Sequence, residues 1–205
     1  MGTRHDIGTR ERIVRTTSRL LQRQGYEATG LKQICQEAEV VLGSVYHFFP
    51  GGKRELGVEA VGHGEREFAE FLRDAFAADD DPAEAVVALC RRLAADLRDS
   101  DWLDGCPVTT VALESAGREP ELQQAAEQAY ENWRGQVRAA LERAGFGADA
   151  ADLAHTVINL LEGAELAAQV SRSTAPLEIA GRHLALLMSA YRTSARTRRR
   201  TWSRT

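Results

Sequence analysis

The side chains best placed to do chemistry lie between Gly25 and Leu56, in the stretch GYEATGLKQICQEAEVVLGSVYHFFPGGKREL. Ser44, Tyr46 and His47 are three hydrogen-bonding groups within four residues. Val45, Phe48 and Phe49 beside them can anchor a short helix in a core. Lys53 follows Pro50-Gly51-Gly52 at the start of another helical pattern. A cation there, beside backbone N–H groups, suits a phosphate. The chemistry on offer is hydrogen bonding to bases and phosphates rather than bond breaking. The same spacing also fits a helical hairpin with ordinary surface polar groups.

Little else in the chain competes. His5, His47, His63, His155 and His183 show no metal-ligand spacing with a second His, a Cys or paired carboxylates. There is no GxSxG, no P-loop and no strand-turn-helix GxGxxG, so neither an enzyme nor a cofactor or metal is expected. His155, Asn159 and Glu162 fall at i, i+4 and i+7, one face of a helix. Asn159 and Glu162 can line a ligand pocket with Phe68, Trp102 and Trp133, since pockets between helices are mostly apolar with few polar groups. Equally, they can hydrogen-bond within the core or across a dimer. Cys35, Cys90 and Cys106 are odd in number and far apart, which argues against a disulfide framework and for a reducing, cytoplasmic setting. No stretch is apolar and long enough to span a membrane, and the polar, basic N-terminus lacks a secretory apolar run.

The positioning elements are helical throughout. Leu31, Ile34, Cys35 and Ala38 predict a helix over 31–38, with Thr29 as its candidate N-cap. A second helix over 42–48 is too short to stand alone and must pack on the first, the shape of a helix-turn-helix. A helix over 9–24, stopped by Gly25, braces both. Residues 53–78 predict a long helix interrupted by Gly57, Gly62 and Gly64, which suits a flexible connector that transmits movement to Lys53. Asp79-Asp80-Asp81-Pro82 starts a helix to about residue 100, and a short apolar helix follows over 108–116. Pro120 starts another, to about 144. Helices over 149–171 and 176–192 are apolar on more than one face, the pattern of a four-helix interface with a second copy.

At 25–56 the pattern Gly25-Tyr26, Thr29, Ile34, Ala38, Val40, Gly43-Ser44-Val45-Tyr46-His47-Phe48-Phe49, Lys53 and Leu56 resembles the N-terminal domain of TetR-type transcriptional repressors. The resemblance implies an all-helical homodimer that binds palindromic operator DNA and releases it when a small ligand binds. It implies phosphate contacts at Thr29, Tyr46 and Lys53, and base-edge or nearby backbone contacts at Ser44, Val45 and His47. Lys32 joins these in the expected DNA-binding set. Glu39 stands where the family usually has Gly, and Val41 where a Ser or Thr usually caps the recognition helix. Further on, Gly105-Cys106-Pro107-Val108, Trp133, Glu162-Gly163-Ala164 and Arg172-Ser173-Thr174-Ala175-Pro176-Leu177-Glu178 resemble the C-terminal domain of the LmrA/YxaF-like branch. That implies repression of efflux or catabolic genes and a hydrophobic or aromatic effector.

Charge fits a divided molecule. The net charge is −4, but residues 1–54 carry nine Lys/Arg against five Asp/Glu, residues 55–190 eleven against twenty-five, and 191–205 six Arg and no acid. The expected organisation is a DNA-binding domain over 1–54, with Arg4 and His5 as a possible phosphate-seeking arm. A helical effector and dimerisation domain follows over 55–192, then a disordered basic tail over 193–205. A helical scaffold with no DNA target also fits the acidic middle. Salt separates the two, because counterion release makes DNA binding steeply salt-dependent.

Overall fold

A computed structural model describes residues 8–202, with side chains as far as Arg192. The arm expected at Arg4 and His5 lies outside the described residues, as do residues 203–205. Among the described residues there are nine α-helices, one 3-10 turn and no strand. The helices are α1 Thr9–Ala28, α2 Leu31–Glu37, α3 Leu42–Phe48, α4 Gly52–Ala78, α5 Pro82–Asp99, α6 Pro107–Ser115, α7 Pro120–Arg143, α8 Ala150–Ser171 and α9 Ala175–Trp202; the 3-10 turn is Gly147–Asp149. The fold is all-α, and no described helix is long and apolar enough to cross a membrane.

The chain forms two compact units. One holds the residues up to Arg66 together with Cys106–Ala129; the other holds Glu67–Gly105 and the chain from Tyr130 onward. The sequence suggests a boundary after residue 54. The packing instead keeps the first half of α4, all of α6 and the start of α7 with the N-terminal helices. The reason is visible at two glycines of α4. A Cβ on Gly57 would meet the Tyr26 ring at 2.9 Å and Leu122 at 3.1 Å, and one on Gly64 would meet Pro107 at 2.6 Å. These glycines admit neighbours rather than loosen the helix. Of the three, Gly62 alone has only the end of a flexible side chain, Arg66, nearby.

In the first unit Ile13, Val14, Leu20, Ile34, Cys35, Ala38, Val45, Phe49 and Leu56 form one core, with Leu31, Val40 and Phe48 packed on it. Burial of each large member contributes roughly 1.5–3 kcal/mol, which is what holds two seven-residue helices that could not persist alone. In the second unit α5 packs along α9, and α8 also packs along α9. Asp81 caps α5 by accepting from the Ala83 amide at 2.9 Å, with Pro82 in the first turn. Both Asp81 oxygens also accept from Arg192, at 2.8 and 2.9 Å, and that bond holds the Asp81 carboxyl below its ordinary range.

The last helix is longer than its sequence pattern suggests. The apolar stripe ends near Arg192, and the Arg-rich composition beyond it predicts a disordered tail, yet the backbone stays helical to Trp202. No Gly or Pro follows Gly181, and Ala and Arg favour helix, so nothing in the sequence stops it.

Candidate nucleic-acid interface

The turn between α2 and α3 is built by backbone hydrogen bonds. The Val40 amide donates to the Cys35 carbonyl at 3.0 Å and the Glu39 amide to Gln36 at 3.3 Å. With Glu39 at φ 54° this is a Schellman ending, and Val40 supplies its apolar contact to the core. Arg12 adds a bond from Nε to the Ala38 carbonyl at 2.7 Å. Glu39 therefore occupies the left-handed position that glycine fills most easily, at a cost of about 1–2 kcal/mol. Val41 is the N-cap of α3 and makes no side-chain capping bond.

On α3 the alternation is clear. Val45 is 0% exposed and Phe49 is buried with it, whereas Tyr46 is 49% exposed and His47 is exposed beside it. His47 stands edge-on to Phe48, centroids 4.8 Å apart. Ser44 is half-buried, and Lys32 on α2 is exposed. Val45 is thus a core residue, which leaves only its backbone to face DNA. Thr29 is also buried, and the expectation that it caps α2 is corrected. It is 1% exposed, its hydroxyl donates to the Gly25 carbonyl at 2.6 Å, and the N-cap of α2 is Gly30. Thr29 holds the end of α1 instead of starting α2.

Lys53 lies in the first turn of α4. Its Nζ is 3.3 Å from the Glu27 carbonyl and 4.3 Å from the centre of the Tyr26 ring. Two nearby amides are engaged: Gly51 donates to Glu55 at 2.6 Å and Gly52 to the Phe49 carbonyl at 2.9 Å. The Tyr26–Glu27 turn is gripped by Glu114 of α6, which both amides reach. Sequence reasoning missed Glu114, because a contact spanning 88 residues leaves no local signal.

The expected effector residues all lie in the second unit, and they divide. Trp133 is fully buried and packs edge-on against Phe68 at 4.8 Å and Tyr130 at 5.3 Å. Glu162 is buried, but Asn159 is on the exposed side of α8, so the two do not share one buried face. With 3.6 residues per turn, a spacing of three puts 159 and 162 about 60° apart, enough to separate them when the burial edge falls between. Trp102 is half-buried in the loop after α5, at φ 66°, with its amide on the Leu97 carbonyl at 2.7 Å. Two hollows in this unit, of about 360 and 290 Å³, are bordered by other residues, among them Asp79, Asp80 and Arg143 in one and Arg91, Glu178 and Arg182 in the other. Glu165, one turn beyond Glu162, is a second buried carboxylate that the spacing argument passed over. Burial, then the charges of Glu162 and Asp96, push its carboxyl well above the ordinary range.

A helix-turn-helix with an exposed polar ridge, joined to a separate helical unit, defines a class of DNA-binding regulators, and the comparisons agree. Residues 13–60 match the model for "Bacterial regulatory proteins, tetR family", and residues 82–183 match "Transcriptional regulator LmrA/YxaF-like, C-terminal domain". The chain belongs to the TetR family of transcriptional regulators, whose members bind operator DNA and usually act as dimers. Its relatives are named as regulators rather than enzymes. It is 34% identical over 170 residues to the HTH-type transcriptional regulator LmrA of Bacillus subtilis, covering 82% of this chain and 90% of that one. It is 26% identical over 192 residues to the HTH-type transcriptional repressor NemR of Escherichia coli K12, covering 89% and 94%. A crystal structure of the regulatory protein TetR from Rhodobacter sphaeroides superposes with a TM-score of 0.77 at 22% identity, over 86% of this chain and 97% of that one, a likeness of fold.

Proposed function

We propose that this protein is a cytoplasmic, ligand-responsive repressor that binds palindromic operator DNA as a homodimer. The observation that carries the DNA reading is the division of α3 and its C-cap, with Val45 and the capping Phe49 anchored in the core and Tyr46 and His47 turned outward. Ser44 and His47 meet bases or adjacent backbone, and Tyr46, Lys53 and Lys32 meet phosphate. Release is driven by a small hydrophobic or aromatic effector in the second unit. Support for that class comes from the Phe68, Tyr130 and Trp133 cluster and, separately, from the buried Glu162 on α8 of the same unit. An effector acts only by binding the DNA-incompetent state more tightly. Support for repression comes from the name of the NemR relative. Support for the homodimer comes from Leu160, Leu166 and Val170 on α8 and Ile179 and Leu186 on α9, large apolar side chains exposed on two adjacent helices.

Tyr46→Ala and Lys53→Ala test the docking face. Each is expected to weaken operator binding roughly tenfold, and Lys53→Ala also to lower the salt slope by about 1, with unchanged unfolding curves. Wild-type affinity in both variants would remove the assigned face.

A further inference from the structure

α1 breaks at Gly25, at φ 78°, and restarts for one turn at Tyr26. A restart leaves its first amides without partners in the preceding helix. Here the Tyr26 and Glu27 amides both donate to Glu114 Oε2, at 2.5 and 3.2 Å. The carboxylate sits where a side chain on residue 25 would be, since a Cβ there would meet Glu114 Oε1 at 2.2 Å. Gly25 thus supplies both the break and the seat. The same turn touches Lys53 through the Glu27 carbonyl and the Tyr26 ring. Glu114, the turn and Lys53 form a continuous chain of contacts inside one compact unit.

We propose that Glu114 is a positioning residue for DNA binding, which by capping the Tyr26–Glu27 turn from α6 fixes where Lys53 holds its charge. The proposal rests on Lys53 being a phosphate contact. It predicts a sign that simple electrostatics does not: removing a carboxylate from a DNA-binding unit should by charge alone tighten binding, whereas loss of this one weakens it.

The test is operator affinity across a range of salt for the wild type, Glu114→Ala, Glu114→Gln, Lys53→Ala and the Glu114→Ala/Lys53→Ala double variant, using a duplex recovered by selection. Glu114→Ala is expected to bind about five- to tenfold more weakly, and Glu114→Gln less weakly because it keeps an acceptor oxygen. In the Lys53→Ala background the Glu114→Ala effect should fall within about twofold, the non-additivity of coupled residues. Unchanged or tighter binding by Glu114→Ala, or an equal loss in both backgrounds, would overturn the proposal. If Lys53→Ala itself binds like the wild type, Lys53 is no phosphate contact and the proposal fails, while Tyr46→Ala still tests the docking face. Should Glu114→Ala not fold, Glu114→Gln carries the same comparison: its smaller loss must likewise vanish without Lys53.

Discussion

Val45 and Tyr46 are adjacent in the chain and do opposite work. About 100° of helix rotation separates their side chains, enough to send one into the core and the other outward. The burial boundary on α8 has the same sharpness and encloses two carboxylates, Glu162 and Glu165. Glu165 is buried, and its carboxyl is raised above its ordinary 4.5 by burial and by the negative neighbours Glu162 and Asp96. The folded state therefore keeps a proton that the unfolded chain gives up. Stability must then fall as pH rises above 4.5, until the folded group also ionises. Glu165→Gln, which cannot ionise, should remove that slope and gain on the wild type in denaturation curves as pH rises above 4.5. A wild type and variant that run parallel with pH would show Glu165 to be paired or solvated. At this scale the sequence was partly legible. The period of the apolar residues placed Val45 and Phe49 in the core, and family likeness alone assigned Val45 to DNA. The Thr29 cap misled because the Thr29 hydroxyl donates back to the Gly25 carbonyl, and Gly30 is the N-cap of an α2 that starts at Leu31 as expected.

The helices themselves were the most legible feature, since their signals are local. The Asp79-Asp80-Asp81-Pro82 signal starts α5 and Pro120 starts α7 as expected, Gly25 ends the long first part of α1, and α6 opens at Pro107, one residue before the expected 108. What the sequence hid was packing between distant segments. The glycines of α4 read as flexibility, yet Gly57 and Gly64 are close-approach sites for Tyr26, Leu122 and Pro107. The attachment of α6 to the N-terminal helices depends on pairs some ninety residues apart. The helices α8 and α9 carry a face left uncovered in the single chain, on which Leu186 is 67% exposed and Val170 78%. If a second copy covers it, Leu186→Glu places a charge in a desolvated interface, which costs several kcal/mol per copy. The expected result is a folded monomer by sedimentation and a loss of operator affinity of at least tenfold. A Leu186→Glu protein that stays dimeric would place the interface elsewhere.

Over the whole molecule the charge pattern and the family membership agree. A net −4 hides a basic N-terminal segment, and the basic segment is the one that carries the exposed ridge of α3. Paired in a homodimer, two such ridges would read two half-sites, with spacing set by the dimer. The central claim is therefore that a folded dimer recognises one palindrome, and its most direct test is selection of bound DNA from a random pool, repeated at several salt concentrations. The account predicts recovery of a single palindromic sequence whose affinity falls steeply with salt, on the order of one power of salt per phosphate neutralised. A folded, dimeric protein that recovers no sequence, or that binds with little dependence on salt, would contradict it.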